Sequence, residues 1–71
     1  MTYFNYHGVA KGLIARGKLQ KFYFTERYGR IAPALVLLFD DACHPVMVIR
    51  EYRFAEYLPL LPTAKQIDAP P

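Results

Sequence analysis

Arg50, Tyr52 and Arg53 stand almost side by side, interleaved with Glu51 and followed by Phe54, Glu56 and Tyr57, in the densest mixture of charge and aromatic rings in the chain. An arginine fork holds a phosphate or carboxylate, and a neighbouring ring gives a planar group something to stack on. Arg50, Arg53 and Tyr52 therefore make a candidate anion or partner contact. Glu51 and Glu56 offer the same arginines an internal partner, and because acids match the cations in number, a self-satisfied network is the favoured reading of this stretch. His7 joins the candidates from the other end of the chain. With a carboxylate from Glu51 or Glu56 beside it, it has the chemistry of a general base, but no nucleophile or second base accompanies it in the sequence. No residue is assigned to catalysis.

The other reactive side chains give weaker signals. Asp40 and Asp41 with His44 suggest a metal site, yet adjacent aspartates before a proline-containing turn are turn formers, and further oxygen ligands are missing. Cys43 becomes a reactive thiolate only beside a cation, and His44 is its one chain neighbour of that kind. The lone cysteine with His7 and His44 lacks the paired spacing of a tetrahedral zinc site. No metal and no cofactor is expected.

Charge is distributed unevenly. Lys11, Arg16, Lys18, Lys21, Arg27 and Arg30 face only Glu26 in the first part of the chain, whereas from Ile31 onward three cations face five acids; the net charge is +3. The basic part suggests a second function class, an RNA-binding module with Lys11, Arg16, Lys18 and Lys21 on phosphates.

Elements must hold these groups in place. Asn5 is a candidate N-cap for a helix from Tyr6 to Arg16, with Gly17 at its C-terminal stop and Tyr6, Val9, Ala10, Leu13 and Ile14 on one face. Gly8, Gly12 and Ala15 form a smooth strip that predicts close approach of another backbone. Leu19 to Tyr28 reads as a strand with Phe22 and Phe24 on one side and Lys21, Tyr23 and Thr25 on the other. Pro33 to Asp40 is apolar on both sides, with Leu35, Leu37 and Phe39 opposite Val36 and Leu38, and is expected at the centre of a sheet. A turn over Asp40 to Pro45 leads to a third strand, Val46 to Arg50. Glu51 to Leu58 reads as a short helix or turn, ended by Pro59 and Pro62, with Leu58, Leu60 and Leu61 packing back.

This order, αβββα, predicts an α+β domain. Its N-terminal helix packs on a three-stranded antiparallel meander over residues 1–62, and 63–71 form a Pro-rich C-terminal tail. Seventy-one residues with 54% apolar content carry more core than one small domain uses. Domains of this size bury only about 60% of their unfolded surface and commonly need a staple. One cysteine excludes an internal disulfide, which together with the absence of a signal-like start predicts a reducing, cytoplasmic setting. The longest apolar run is too short to cross a bilayer, so no membrane role is expected. Oligomerisation remains as the staple. One helix covers one sheet face. The other, with Val36 and Leu38, needs the C-terminal segment or a second copy, and a homodimer seam at Val36 and Leu38 is the favoured reading.

Tyr6-His7, Leu13-Ile14-Ala15-Arg16-Gly17-Lys18-Leu19, Ala32-Pro33-Ala34-Leu35-Val36-Leu37 and Ile49 through Leu60 together resemble a family of short uncharacterised bacterial proteins. Its members are found largely in Gram-positive anaerobes, and some carry the label thermostable haemolysin. The resemblance spans most of the chain and implies a compact bacterial domain of unknown activity. The family pattern has His and Trp where this chain has Tyr52 and Phe54. The order of elements is also similar to the double-stranded-RNA-binding fold, without its basic cluster or its Gly-Ser-His motif. The leading expectation is a cytoplasmic homo-oligomeric structural or interaction domain without catalysis, with RNA binding as the alternative.

Overall fold

Residues 5–71 are described here from a computed structural model of the chain. The first helix, α1, runs Tyr6–Ala15. The Asn5 side chain starts it by accepting a hydrogen bond from the Gly8 N–H at 3.0 Å, satisfying one of the donors that a helix start leaves without a partner. At the other end Gly17, at φ 75°, adopts the left-handed conformation. The amides of Gly17 and Lys18 then reach back to the carbonyls of Ile14 and Leu13 at 3.0 and 2.9 Å, a Schellman stop. The smooth strip behaves differently from expectation. A Cβ on Gly8 would meet the Asn5 cap itself at 2.5 Å, and one on Gly12 would meet nothing within 4 Å. Gly8 makes room for its own cap, and Gly12 borders open space.

Strands β1 (Leu19–Thr25), β2 (Ala34–Phe39) and β3 (Val46–Arg50) form the antiparallel meander. β1 stops three residues short of Tyr28, which instead bridges Ile31 within the β1–β2 connection. A register shift between Leu19 and Lys21 lets both Leu19 and Phe22 face the core, as an extra bulge residue resets the alternation. Asp41 fixes the β2–β3 turn, its carboxylate accepting the His44 N–H at 2.9 Å.

After β3 the chain forms a 3-10 turn at Glu51–Arg53, a single helical turn α2 (Phe54–Tyr57), and further 3-10 structure at Leu58–Thr63. Regular structure thus continues through both prolines. Pro59 sits at the start of that last segment, where its missing N–H costs nothing. Leu61 is buried and Leu60 packs on the core, but Leu58 is exposed, contrary to expectation.

The tail corrects the three-stranded picture. Lys65–Gln66 form β4, parallel to β1, with Lys21 opposite Lys65 and the Ile67 amide on the Phe22 carbonyl at 2.9 Å. The sheet therefore has four strands in the order β3-β2-β1-β4, and the domain extends past residue 62. Backbone pairing overrides the irregular side-chain pattern of this stretch.

The main core cluster lies on one sheet face, while Tyr23, Ala34 and Val36 are buried on the other. Ala10, Leu13 and Ile14 of α1 meet Phe22, Leu35, Leu37, Phe39, Met47 and Ile49, with Tyr57 and Leu61 of the C-terminal segment joining the same cluster. Helix and C-terminal segment share this face, so the segment is not the cover of the other one.

Candidate functional site

The C-terminal segment brings Tyr57 under the first turn of α1. Tyr57 is fully buried, and its hydroxyl lies 2.7 Å from His7 Nδ1. Burial pushes the phenol up to about 12. Burial also lowers the His7 pKa, the Arg53 charge adding to this and Lys11 contributing, while Glu56 opposes them. Neutral His7 is therefore the form that holds the pair together near neutral pH. His7 Nδ1 and the Tyr57 hydroxyl share this hydrogen bond, whose direction follows the imidazole tautomer, and Nε2 is the ring nitrogen that Tyr57 does not engage.

Beside this pair stands an ionic network. Glu56 Oε1 accepts from Lys11 Nζ at 2.7 Å and from Arg53 Nη1 at 3.1 Å. These two cations, Lys11 foremost, hold the Glu56 carboxyl below its usual range. Lys11 also lies 5.5 Å from the Tyr57 ring centre, and Arg53 lies 5.8 Å from that of Tyr52. Of the network expected from the sequence, the Arg53–Glu56 pair forms, with Lys11 as a member drawn from α1, whereas Glu51 and Arg50 make no ion pair among the described residues. Exposed pairs of this kind orient side chains more than they stabilise the fold.

Arg50 is different. It is exposed and makes no ion pair among the described residues. Together with Tyr6, His7, Ile31, Val48 and Tyr52 it lines a hollow of about 320 Å³ at the outer edge of β3. A second hollow of about 310 Å³ adjoins it, sharing Ile31, Arg50 and Tyr52 but lined also by Glu51. Tyr52, 76% exposed, borders both. The structure therefore gathers His7, Arg50 and Tyr52 at one place, with Arg53 behind them. Tyr6 and Ile31 carried no signal in the sequence beyond being apolar. Tyr6 closes the β3 edge, its hydroxyl accepting the Val48 N–H at 2.6 Å.

The remaining basic candidates are dispersed. Lys11 is in the ionic network, and Arg16 borders a groove of about 660 Å³ between α1 and the β2–β3 turn, shared with Gly12, Asp41, Cys43 and His44. Lys18 follows the helix stop, while Lys21 stands on β1 beside Lys65.

The second sheet face carries the candidate seam. Val36 pairs with Val48 and Leu38 with Val46, while Tyr23 flanks Val36 from β1. Strand alternation puts all five on the side away from the core cluster, to which none of them belongs. Val36 and Tyr23 are buried, Leu38 and Val48 half-buried, and Val46 is 42% exposed. No helix among the described residues packs there.

Compared with models of known protein families, with curated proteins and with solved structures, the chain has no match. No helix among the described residues is long and apolar enough to cross a membrane.

Proposed function

We propose that the protein is a small bacterial cytoplasmic interaction domain, without catalysis, that pairs with a second copy of itself through the sheet face bearing Val36, Leu38, Val46 and Val48. The observation that carries this reading is the packing of both α1 and the C-terminal segment on the opposite face. Two adjoining rows of apolar side chains are thereby left without a helix over them. Val46, Leu38 and Val48 keep apolar surface in contact with solvent there, beside Lys21 opposite Leu38, while Val36 is already covered within the single chain. Apolar surface of this kind marks an association surface, and a twofold pair of identical patches is the commonest way to cover one. The sheet edges favour a face-to-face pair over an open stack. At β3 the Tyr6 hydroxyl takes the Val48 amide, and at the far edge β4 is only two residues long and carries Lys65.

RNA binding through Lys11, Arg16, Lys18 and Lys21 has less support, since Lys11 is ion-paired and Lys21 lies on the second sheet face, opposite Leu38, away from the helix that carries Lys11 and Arg16. Val46→Asp tests self-association. Val46 is exposed enough that the single domain should keep its fold, while a carboxylate in an apolar seam is costly. The expected result is a folded monomer; a folded variant with the assembly state of the native protein would refute the seam.

A further inference from the structure

The geometry points to a binding site for a small phosphorylated ligand with a planar ring, of the nucleoside monophosphate class. It lies in the hollow at the β3 edge, with the phosphate on Arg50 and His7 and the ring on Tyr52. Arg50 is the guanidinium of this region that no carboxylate engages, its neighbour Arg53 being held by Glu56. A guanidinium presents paired donors suited to phosphate oxygens. His7 lines the same hollow. In the tautomer whose Nδ1 accepts from Tyr57, the neutral imidazole carries its N–H on Nε2, a second donor that needs no positive charge.

Charge sorts the two hollows. Among the described residues Glu51 lines the second hollow and no acid lines the one that His7 borders, so an anion is directed to the His7 side. The hollow of about 320 Å³ is at the small end of ligand sites, which suits a single nucleotide. Tyr52 supplies the ring platform. It is the most exposed of the large apolar side chains, and Arg53 at 5.8 Å backs it by a cation–π contact.

Nothing in this site draws on self-association, but Val48 lines the hollow and belongs to the proposed seam, so the test is run on both the native protein and the monomeric Val46→Asp variant, in which the seam is open. The full chain, labelled for NMR, is titrated with AMP, ribose 5-phosphate, adenosine and inorganic phosphate. AMP should give saturable shifts at Arg50, Tyr52 and the His7 ring, with ribose 5-phosphate and adenosine each weaker by about tenfold or more. Arg50→Gln should abolish the phosphate-dependent gain and leave the amide spectrum elsewhere unchanged. Tyr52→Ala should bring AMP down to the level of ribose 5-phosphate without altering ribose 5-phosphate itself. Three results would each overturn the proposal: no saturable AMP shifts, shifts centred on Arg16 and Lys18, or AMP binding no tighter than inorganic phosphate.

Discussion

The His7 imidazole and the Tyr57 hydroxyl meet at 2.7 Å across fifty positions of sequence, and this contact ties the first turn of α1 to the C-terminal segment. It lets a fully buried phenol keep a hydrogen-bond partner, which an apolar core would otherwise deny it. It also engages Nδ1 of the histidine that borders the Arg50 hollow, so that Nε2 is the ring nitrogen not held by Tyr57.

The buried Tyr57 phenol should resist ionisation. Its pKa is raised from 10.0 to about 12, so the folded protein retains a proton that the unfolded chain has lost in that interval. Stability from this group is therefore complete below the ordinary tyrosine range and falls as pH rises from 10.0 towards about 12. Absorbance titration of the native protein against Tyr57→Phe should show that a late-ionising phenol, lost together with the fold, belongs to Tyr57. Ionisation of all six tyrosines in the ordinary range, with the fold intact, would contradict the burial of Tyr57.

His7 gives the opposite dependence at the acid end. Its pKa is lowered from 6.5, so the unfolded chain binds the proton more readily than the folded one. The contribution is present above 6.5 and is lost as pH falls through the lowered folded value. Urea unfolding as a function of pH should show this loss in the native protein. In His7→Gln that part of the pH dependence should vanish; an unchanged profile would assign it elsewhere.

Gly8 and Gly12 should respond differently to alanine. Gly12→Ala meets open space and should stabilise the protein by about 1 kcal/mol, the ordinary helix-propensity gain. Gly8→Ala gains the same propensity but collides with the Asn5 cap, whose loss costs about 1 kcal/mol, so the two effects should cancel. Thermal or urea unfolding of both variants reads the difference, and equal gains would show that the cap carries no weight.

Tyr6→Phe removes the acceptor that closes the β3 edge and should cost about 1 kcal/mol, the usual net value of one such hydrogen bond. Hydrogen exchange at the Val48 amide should accelerate at the same time. Unchanged exchange at Val48 would mean that the edge is closed by other means.

The division of the strands was legible in the sequence because alternation is a local signal. Leu35, Leu37 and Phe39 were separable from Val36 and Leu38 without any knowledge of partners, and so were the Asn5 cap and the Gly17 stop. β4 was not legible, because its pairing is made by the backbone with a strand more than forty residues away, whatever side chains Lys65 and Gln66 carry. The packing of the C-terminal segment on the helix-bearing face was equally hidden, since Tyr57, Leu60 and Leu61 would suit either side of the sheet. At the candidate site, Arg50, Tyr52 and His7 stood out by type. That Glu56 would engage Lys11 and Arg53 but not Arg50 depends on a tertiary approach of α1 to α2 that no spacing encodes.

Leu38→Asp puts a carboxylate into the middle of the proposed seam, next to Val36. It should dissociate the assembly and, as Leu38 is half-buried already in the single domain, unfold it as well. A folded variant of native mass would show that no copy of the chain covers this face.

Self-association through the second sheet face is tested most directly by sedimentation equilibrium of the native chain at micromolar concentration. A mass twice that of the 8.2 kDa chain is expected, falling to 8.2 kDa in Val46→Asp. A native protein that stays folded at 8.2 kDa, with no concentration dependence, would contradict the account.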